Sequence, residues 1–168
     1  MTTTANETMD ASNREKSSIW VTAPGYSGIG SVIVFTDPAA NNNLILRRAA
    51  SEGKLHIVNG LLEHTMHEDG TIFIDPAACD NMAIRVAAEN GHLEVLKALL
   101  KFTKKPDGSK WVDPSVDDNY AIRAAATYDH FGVVRELLKY TENEDGTMWV
   151  DPSAGDNIVI RMAARKKI

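Results

Sequence analysis

DPAACDNMAIRVAAENGHLEVLKALLKFTKKPDGSKWV, residues 75–112, is one complete copy of a unit that the chain repeats. A single fixed offset superposes four Asp-Pro pairs: Asp37-Pro38, Asp75-Pro76, Asp113-Pro114 and Asp151-Pro152. The same offset superposes Asn43, Asn81, Asn119 and Asn157, and also Arg47, Arg85, Arg123 and Arg161. Ala-Ala pairs at 49/50, 87/88, 125/126 and 163/164 follow the same register. A fixed period of roughly 20 to 50 residues marks a solenoid, whose units bury their apolar faces against one another.

Each unit divides into three pieces. In residues 75–112, Asp80 or Asn81 is a suitable N-cap for a short helix, MAIRVAAEN, and Gly91 supplies the left-handed residue that ends it. A second helix, LEVLKALLKF, places Val95, Leu96, Leu99 and Leu100 on one apolar stripe. KPDG then signals a tight turn, and KWVDP a short extended stretch closed by proline. Neither helix can bury its stripe alone, so neighbouring units must stack. The fold expected is an all-α repeat solenoid of helix-turn-helix units, joined by long β-hairpin-like fingers.

The rest of the chain is read around this array. Residues 1–17 are polar and charged and are expected to be disordered, because they bury too little to offset the entropy of ordering. Residues 18–36, with apolar patches around a Gly-rich turn, form an N-terminal arm that supplies the first finger. The repeat domain runs from 37 to 168, as units 37–74, 75–112 and 113–150 and a half unit 151–168. Gly25, Gly28 and Gly30 precede a strand-like SVIVF instead of a helix N-terminus, so they read as a turn and not as a phosphate loop. A net charge of −5 argues against nucleic acid as the main partner. The single cysteine, Cys79, cannot form an internal disulfide and suits a reducing, cytoplasmic location. No apolar run approaches the roughly 18 residues that a membrane span needs.

Within this frame the residues resemble the ankyrin repeat family. AAENGHLEVLKALLK (87–101) is similar to that family's Ala-Ala-x-x-Gly-His-x-x-Val-Val-x-x-Leu-Leu core. AASEGKLHIVNGLLE (49–63) matches with Lys54 in the His position, and AATYDHFGVVRELLK (125–139) with Asp129 in the Gly position. Two departures stand out. The Thr-Pro-Leu-His opening of the family's first helix becomes Leu44-Ile-Leu-Arg, Met82-Ala-Ile-Arg, Tyr120-Ala-Ile-Arg and Ile158-Val-Ile-Arg. The four arginines are therefore expected to pair with carboxylates such as Asp75, Asp113 and Asp151 at the unit joints. The period, about 38 residues, also exceeds the family standard of about 33, which lengthens the fingers.

The resemblance implies binding of a protein partner in a concave groove lined by the fingers and the inner helices. Residues that vary between copies on the fixed scaffold are the candidates: Ser51 and Glu52, Glu89 and Asn90, Thr127 and Tyr128. The finger candidates are Lys104, Lys105, Lys110, Trp111 and Trp149. For the tryptophans, packing of finger against finger is the favoured reading over that of interface anchors. Finger charge alternates, from His67-Glu68-Asp69 through Lys104-Lys105 to Glu142-Asn143-Glu144-Asp145, which disfavours a polyanion. No catalytic constellation emerges. His64 and His67 lack the further Cys or His that a metal site requires, and Cys79 sits beside Asp80, which disfavours a thiolate. No enzyme activity, metal or cofactor is expected, and neither a nucleic-acid nor a membrane partner. The alternative function is an adaptor or effector whose first 36 residues carry the activity while the repeats target it. The half unit 151–168, lacking a second helix, leaves room for an oligomer through its uncapped face.

Overall fold

The computed structural model describes residues 39–66, 72–142 and 149–166. Seven helices follow one another: α1 (Ala40–Ser51), α2 (Leu55–Leu62), α3 (Ala78–Glu89), α4 (Leu93–Leu100), α5 (Val116–Thr127), α6 (Phe131–Leu137) and α7 (Ala154–Lys166). A short 3₁₀ turn, Leu138–Tyr140, extends α6. The odd-numbered helices stack as one layer, and α2, α4 and α6 as a second. The disordered tail and the arm expected within residues 1–36 lie outside the described residues.

The core lies between these layers. Leu46, Ile84 and Ile122 are fully buried on the first helices, and Val58, Leu61, Val95, Leu96, Leu99, Val133 and Leu137 meet them from the second. The Ala-Ala pairs of the three full units (49/50, 87/88 and 125/126) are buried as well, their small side chains letting the layers approach closely, whereas Ala164 in α7 is exposed. Ile74, Val112 and Val150, each just before an Asp-Pro, are completely buried and plug the base of successive fingers.

Each first helix begins with a turn of the opposite hand. Three consecutive residues, Asn41–Asn43, Cys79–Asn81, Asp117–Asn119 and Gly155–Asn157, have φ between 51° and 61°. The turn closes through its third residue's N–H, as from Asn81 to the Ala77 carbonyl at 2.9 Å and from Asn119 to the Ser115 carbonyl at 2.9 Å. Left-handed backbone costs an ordinary L-residue about 1–2 kcal/mol, and Gly, Asn and Asp least. Eleven of the twelve positions are Asn, Asp or Gly, so composition minimises the strain and Cys79 is the exception.

The expected N-cap role of Asn81 is corrected by this turn. Its Oδ1 instead accepts the N–H of Asp113, in the next unit, at 2.9 Å. Asn43 accepts from Asp75 at 3.2 Å and Asn119 from Asp151 at 2.8 Å. All three asparagines are buried, so the repeated side chain stitches one unit to the next.

The arginine expectation is also corrected. Asp75, Asp113 and Asp151 do not receive the guanidinium groups. Their Oδ1 atoms close Asx turns with the N–H groups of Ala77, Ser115 and Ser153 at 2.7–2.9 Å. Asp75 and Asp113 also accept the indole N–H of Trp111 and Trp149, both at 2.7 Å. Arg47 and Arg123 turn back to the exposed carbonyls of their own left-handed turns, at 2.7–3.2 Å. Arg85 does reach across a joint, placing Nη2 at 2.6 Å from Asp117 Oδ2. The reason lies in the unit that follows each arginine. Arg85 faces Asp117, whereas the corresponding residues for Arg47 and Arg123 are Cys79 and Gly155, which carry no carboxylate.

Among the described residues no strand forms, and the expected hairpins reduce to isolated antiparallel bridges at Met66–Ile72 and Lys104–Lys110. The second finger is held by Trp111 N–H to the Thr103 carbonyl at 2.9 Å and by Lys105 N–H to the Ser109 carbonyl at 2.8 Å.

Candidate functional site

The variable residues picked out in the sequence lie where α1, α3 and α5 end, one set per unit. Ser51 and Glu52 close α1, Glu89 and Asn90 close α3, and Thr127 and Tyr128 close α5. Gly53, Gly91 and Asp129 then reverse the chain with φ of 67°, 73° and 60°. Stacking of the first helices sets these ends side by side. Direct contacts follow from the alignment: Asn90 Nδ2 donates to Ser51 Oγ at 3.3 Å, and Tyr120 Oη donates to Glu89 Oε2 at 2.9 Å.

His92 and His130 fix the spacing between these ends. The His92 ring lies over Gly53 so closely that a Cβ there would sit 2.6 Å from Nδ1, and its Nε2–H donates to the Ser51 carbonyl at 3.0 Å. His130 covers Gly91 in the same way, at 2.5 Å. Each of these histidines thus has a glycine at the matching helix end of the unit before it, where a side chain would clash with the ring.

Tyr128 is the prominent side chain on this line, 57% exposed and tilted against His130 at 6.4 Å. Asn90 and Thr127 are exposed, and Glu52 is exposed in an ion pair with Arg48 at 2.8 Å. That contact, through its hydrogen bond, holds the Glu52 carboxyl below its ordinary pKa. Glu89 is half-buried beneath Tyr120, whose phenol its hydrogen bond, and secondarily burial, push above the ordinary range.

The cluster around Tyr120 was not singled out in the sequence. Arg85 stacks on the Tyr120 ring at 4.7 Å while pairing with Asp117, and Tyr120 binds Glu89. Two signals for it were present. Tyr120 is the one aromatic among Leu44, Met82, Tyr120 and Ile158, and Asp117 is the one acid among Asn41, Cys79, Asp117 and Gly155.

On the finger side the structure separates the candidates. Trp111 is 7% exposed and packs edge-on against Phe102 at 6.1 Å; Trp149 is half-buried and packs likewise against Tyr140 at 6.0 Å. With both indole N–H groups on the Asp-Pro aspartates, each ring ties one finger to the preceding one. Lys104 and Lys110 face each other across the bridge and are exposed, and Lys105 is half-buried.

A shallow depression of about 240 Å³, lined by Gly53, Leu55, His92 and Leu93 among others, lies between the first two units, below the roughly 300–1,000 Å³ of small-molecule pockets. No cluster of metal-ligating side chains occurs among the described residues. Among them, too, no helix is long and apolar enough to cross a membrane. A family model described as ankyrin repeats, in three copies, matches residues 46–148, more than half of the 168-residue chain. Comparison with curated proteins gave no match.

Proposed function

Because the chain belongs to the ankyrin repeat family, generally protein–protein interaction modules, we propose that it is a non-catalytic binder of a protein partner. The partner lies in the groove formed by the ends of α1, α3 and α5 and by the fingers. One observation carries this reading. Side chains that change from copy to copy (Glu52, Asn90, Thr127 and Tyr128) stand exposed in one line, on a scaffold whose buried positions repeat. Tyr128 is suited to anchoring a partner, since aromatic residues dominate interface energetics. A cytoplasmic location and a scaffolding role belong to the same reading.

Photoreactive side chains placed in turn at Asn90 and Tyr128, and at Asn59 and Arg135 on the exposed second-helix face, test the groove. Cross-links to a captured protein are expected from the first pair and not from the second. The reverse pattern sinks the proposal.

Self-association through α7 is a second reading, carried by Ile160. The equivalent residues Leu46, Ile84 and Ile122 are completely buried, whereas Ile160 is 50% exposed. Ile160→Glu should lower the mass measured by light scattering at high protein concentration to that of a monomer. A mass already monomeric in the parent chain removes this reading.

A further inference from the structure

The second finger holds its cations differently from the helices. Several cations on the helices find carboxylates: Arg48 with Glu52, Lys97 with Glu94, Lys139 with Glu136, Arg85 with Asp117. Lys105 and Lys110 have none within ion-pair distance among the described residues. Their ammonium groups stand over indole rings instead, Lys105 Nζ at 6.0 Å from the Trp111 centroid and Lys110 Nζ at 5.5 Å from that of Trp149. Asp107, the acid on the same finger, accepts from Ser109 N–H at 2.9 Å and from Ser109 Oγ at 2.6 Å, and Lys105 acts on it only from beyond ion-pair distance.

Both rings are fixed platforms. Trp111 is held by Asp75 and Phe102, and Trp149 by Asp113 and Tyr140. A lysine whose ammonium rests on a ring loses less rotamer freedom when it binds an anion, and the ring leaves the outward side of the charge open. The two platforms are equivalent positions in adjacent units. Their separation is therefore one unit, about 8–10 Å, as for neighbouring packed helices. A segment in the extended polyproline II conformation advances about 3.1 Å per residue with about three residues per turn, so acids three positions apart share one face and match this spacing.

We propose that the second finger recognises an extended acidic segment of the protein partner, with Lys105 and Lys110 each taking one carboxylate of a Glu-x-x-Glu spacing. This rests on the groove-and-finger reading and gives its partner a chemistry. The acids flanking this finger in the sequence, Glu68-Asp69 and Glu142 to Asp145, repel any anion beyond the two lysines, so they confine recognition to two spaced carboxylates and disfavour the unbroken charge of a nucleic-acid strand.

The test is fluorescence anisotropy of the whole chain with labelled peptides. One carries Glu-Ser-Ser repeated four times; another has the same composition with all four glutamates contiguous. The spaced peptide is expected to bind more tightly. The double variant Lys105→Glu, Lys110→Glu should weaken it roughly tenfold, while Lys105→Arg, Lys110→Arg stays within about twofold. Unchanged thermal melting shows that each variant folds. Binding indifferent to charge reversal overturns the proposal, as does equal affinity for the contiguous peptide. Displacement of the peptide by single-stranded oligothymidine overturns it in favour of nucleic acid. Failure of the peptide alongside intact groove cross-links sinks this inference alone. Peptide binding without groove cross-links supports the finger contact and removes the helix ends from the reading it rests on.

Discussion

Cys79 shows how closely single residues here answer to backbone geometry. It occupies a left-handed position, φ 55°, where the other units carry Asn41, Asp117 and Gly155. Asn tolerates that region better than any β-substituted side chain without a local hydrogen bond. Cys79→Asn should therefore raise stability by up to about 1 kcal/mol, read as a higher urea midpoint at unchanged slope. A lower midpoint would mean that the turn relaxes in solution. Gly91 makes the opposite case. Its φ is 73°, and a Cβ would press on the His130 ring. Gly91→Ala should cost about 1–2 kcal/mol from backbone strain alone, and more from the clash. His130→Ala in the same chain should restore the steric part and leave the backbone part. A double-mutant cycle with no coupling would show that the ring does not bear on the glycine.

At the scale of the element, the recurring Asp-Pro is the start of every joint. Its aspartate closes an Asx turn, receives the next tryptophan where one follows, and offers its own N–H to the preceding unit's asparagine. Asp151 shows the electrostatics. The Ser153 hydroxyl first, then the Ser153 N–H, hold its carboxyl below the ordinary aspartate pKa. A carboxyl lowered in the folded state contributes stability above its unfolded pKa, about 3.9, and loses that contribution as pH falls through the folded value. Ser153→Ala should therefore be less stable than the parent at neutral pH, and the two should converge in acid below the ordinary carboxylate range. An NMR titration should find the Asp151 carboxyl restored towards its usual pKa in that variant; a difference that persists unchanged into acid would contradict the account. The recurrence of Asp and Asn was plain in the sequence, and so were the helices, because apolar period and Gly punctuation are local signals. Their partners were not. Asn81 looked like a cap because Asn usually caps, and only the left-handed turn points it into the next unit, at Asp113. The run of Asn, Asp and Gly in all four turns was the readable sign of that geometry. The finger aspartates drew attention as partners for arginine, but a carboxylate already serving a turn and an indole has little left to offer.

On the scale of the whole molecule, the described helices pack chiefly within their own unit and on those of the adjacent units, so stability is approximately a sum of unit terms and joint terms. The order of units and the line of variable residues were legible because both follow from periodicity. How strongly each joint holds was not, since that depends on pairs far apart in sequence. The joint between the second and third units is tied by Asn81 to Asp113, Arg85 to Asp117, Tyr120 to Glu89 and His130 over Gly91. The pair Arg85–Asp117 contributes little, because Asp117 is 52% exposed and exposed pairs contribute about 1 kcal/mol or less. The buried Asn81 contact matters more: without it the Asp113 N–H is unsatisfied, at about 1–3 kcal/mol. Asn81→Ala combined with Tyr120→Phe should therefore uncouple the array at this joint while leaving each half's own core intact. Native-state hydrogen exchange is the measurement. Amides of α5, α6 and α7, the smaller group, should lose protection first, while α3 and α4 keep theirs, and urea unfolding should broaden into two steps whose slopes add to the parent's. Equal loss of protection in all the helices, with a single transition of undiminished slope, would mean that the array still unfolds as one unit and that these contacts do not govern its cooperativity.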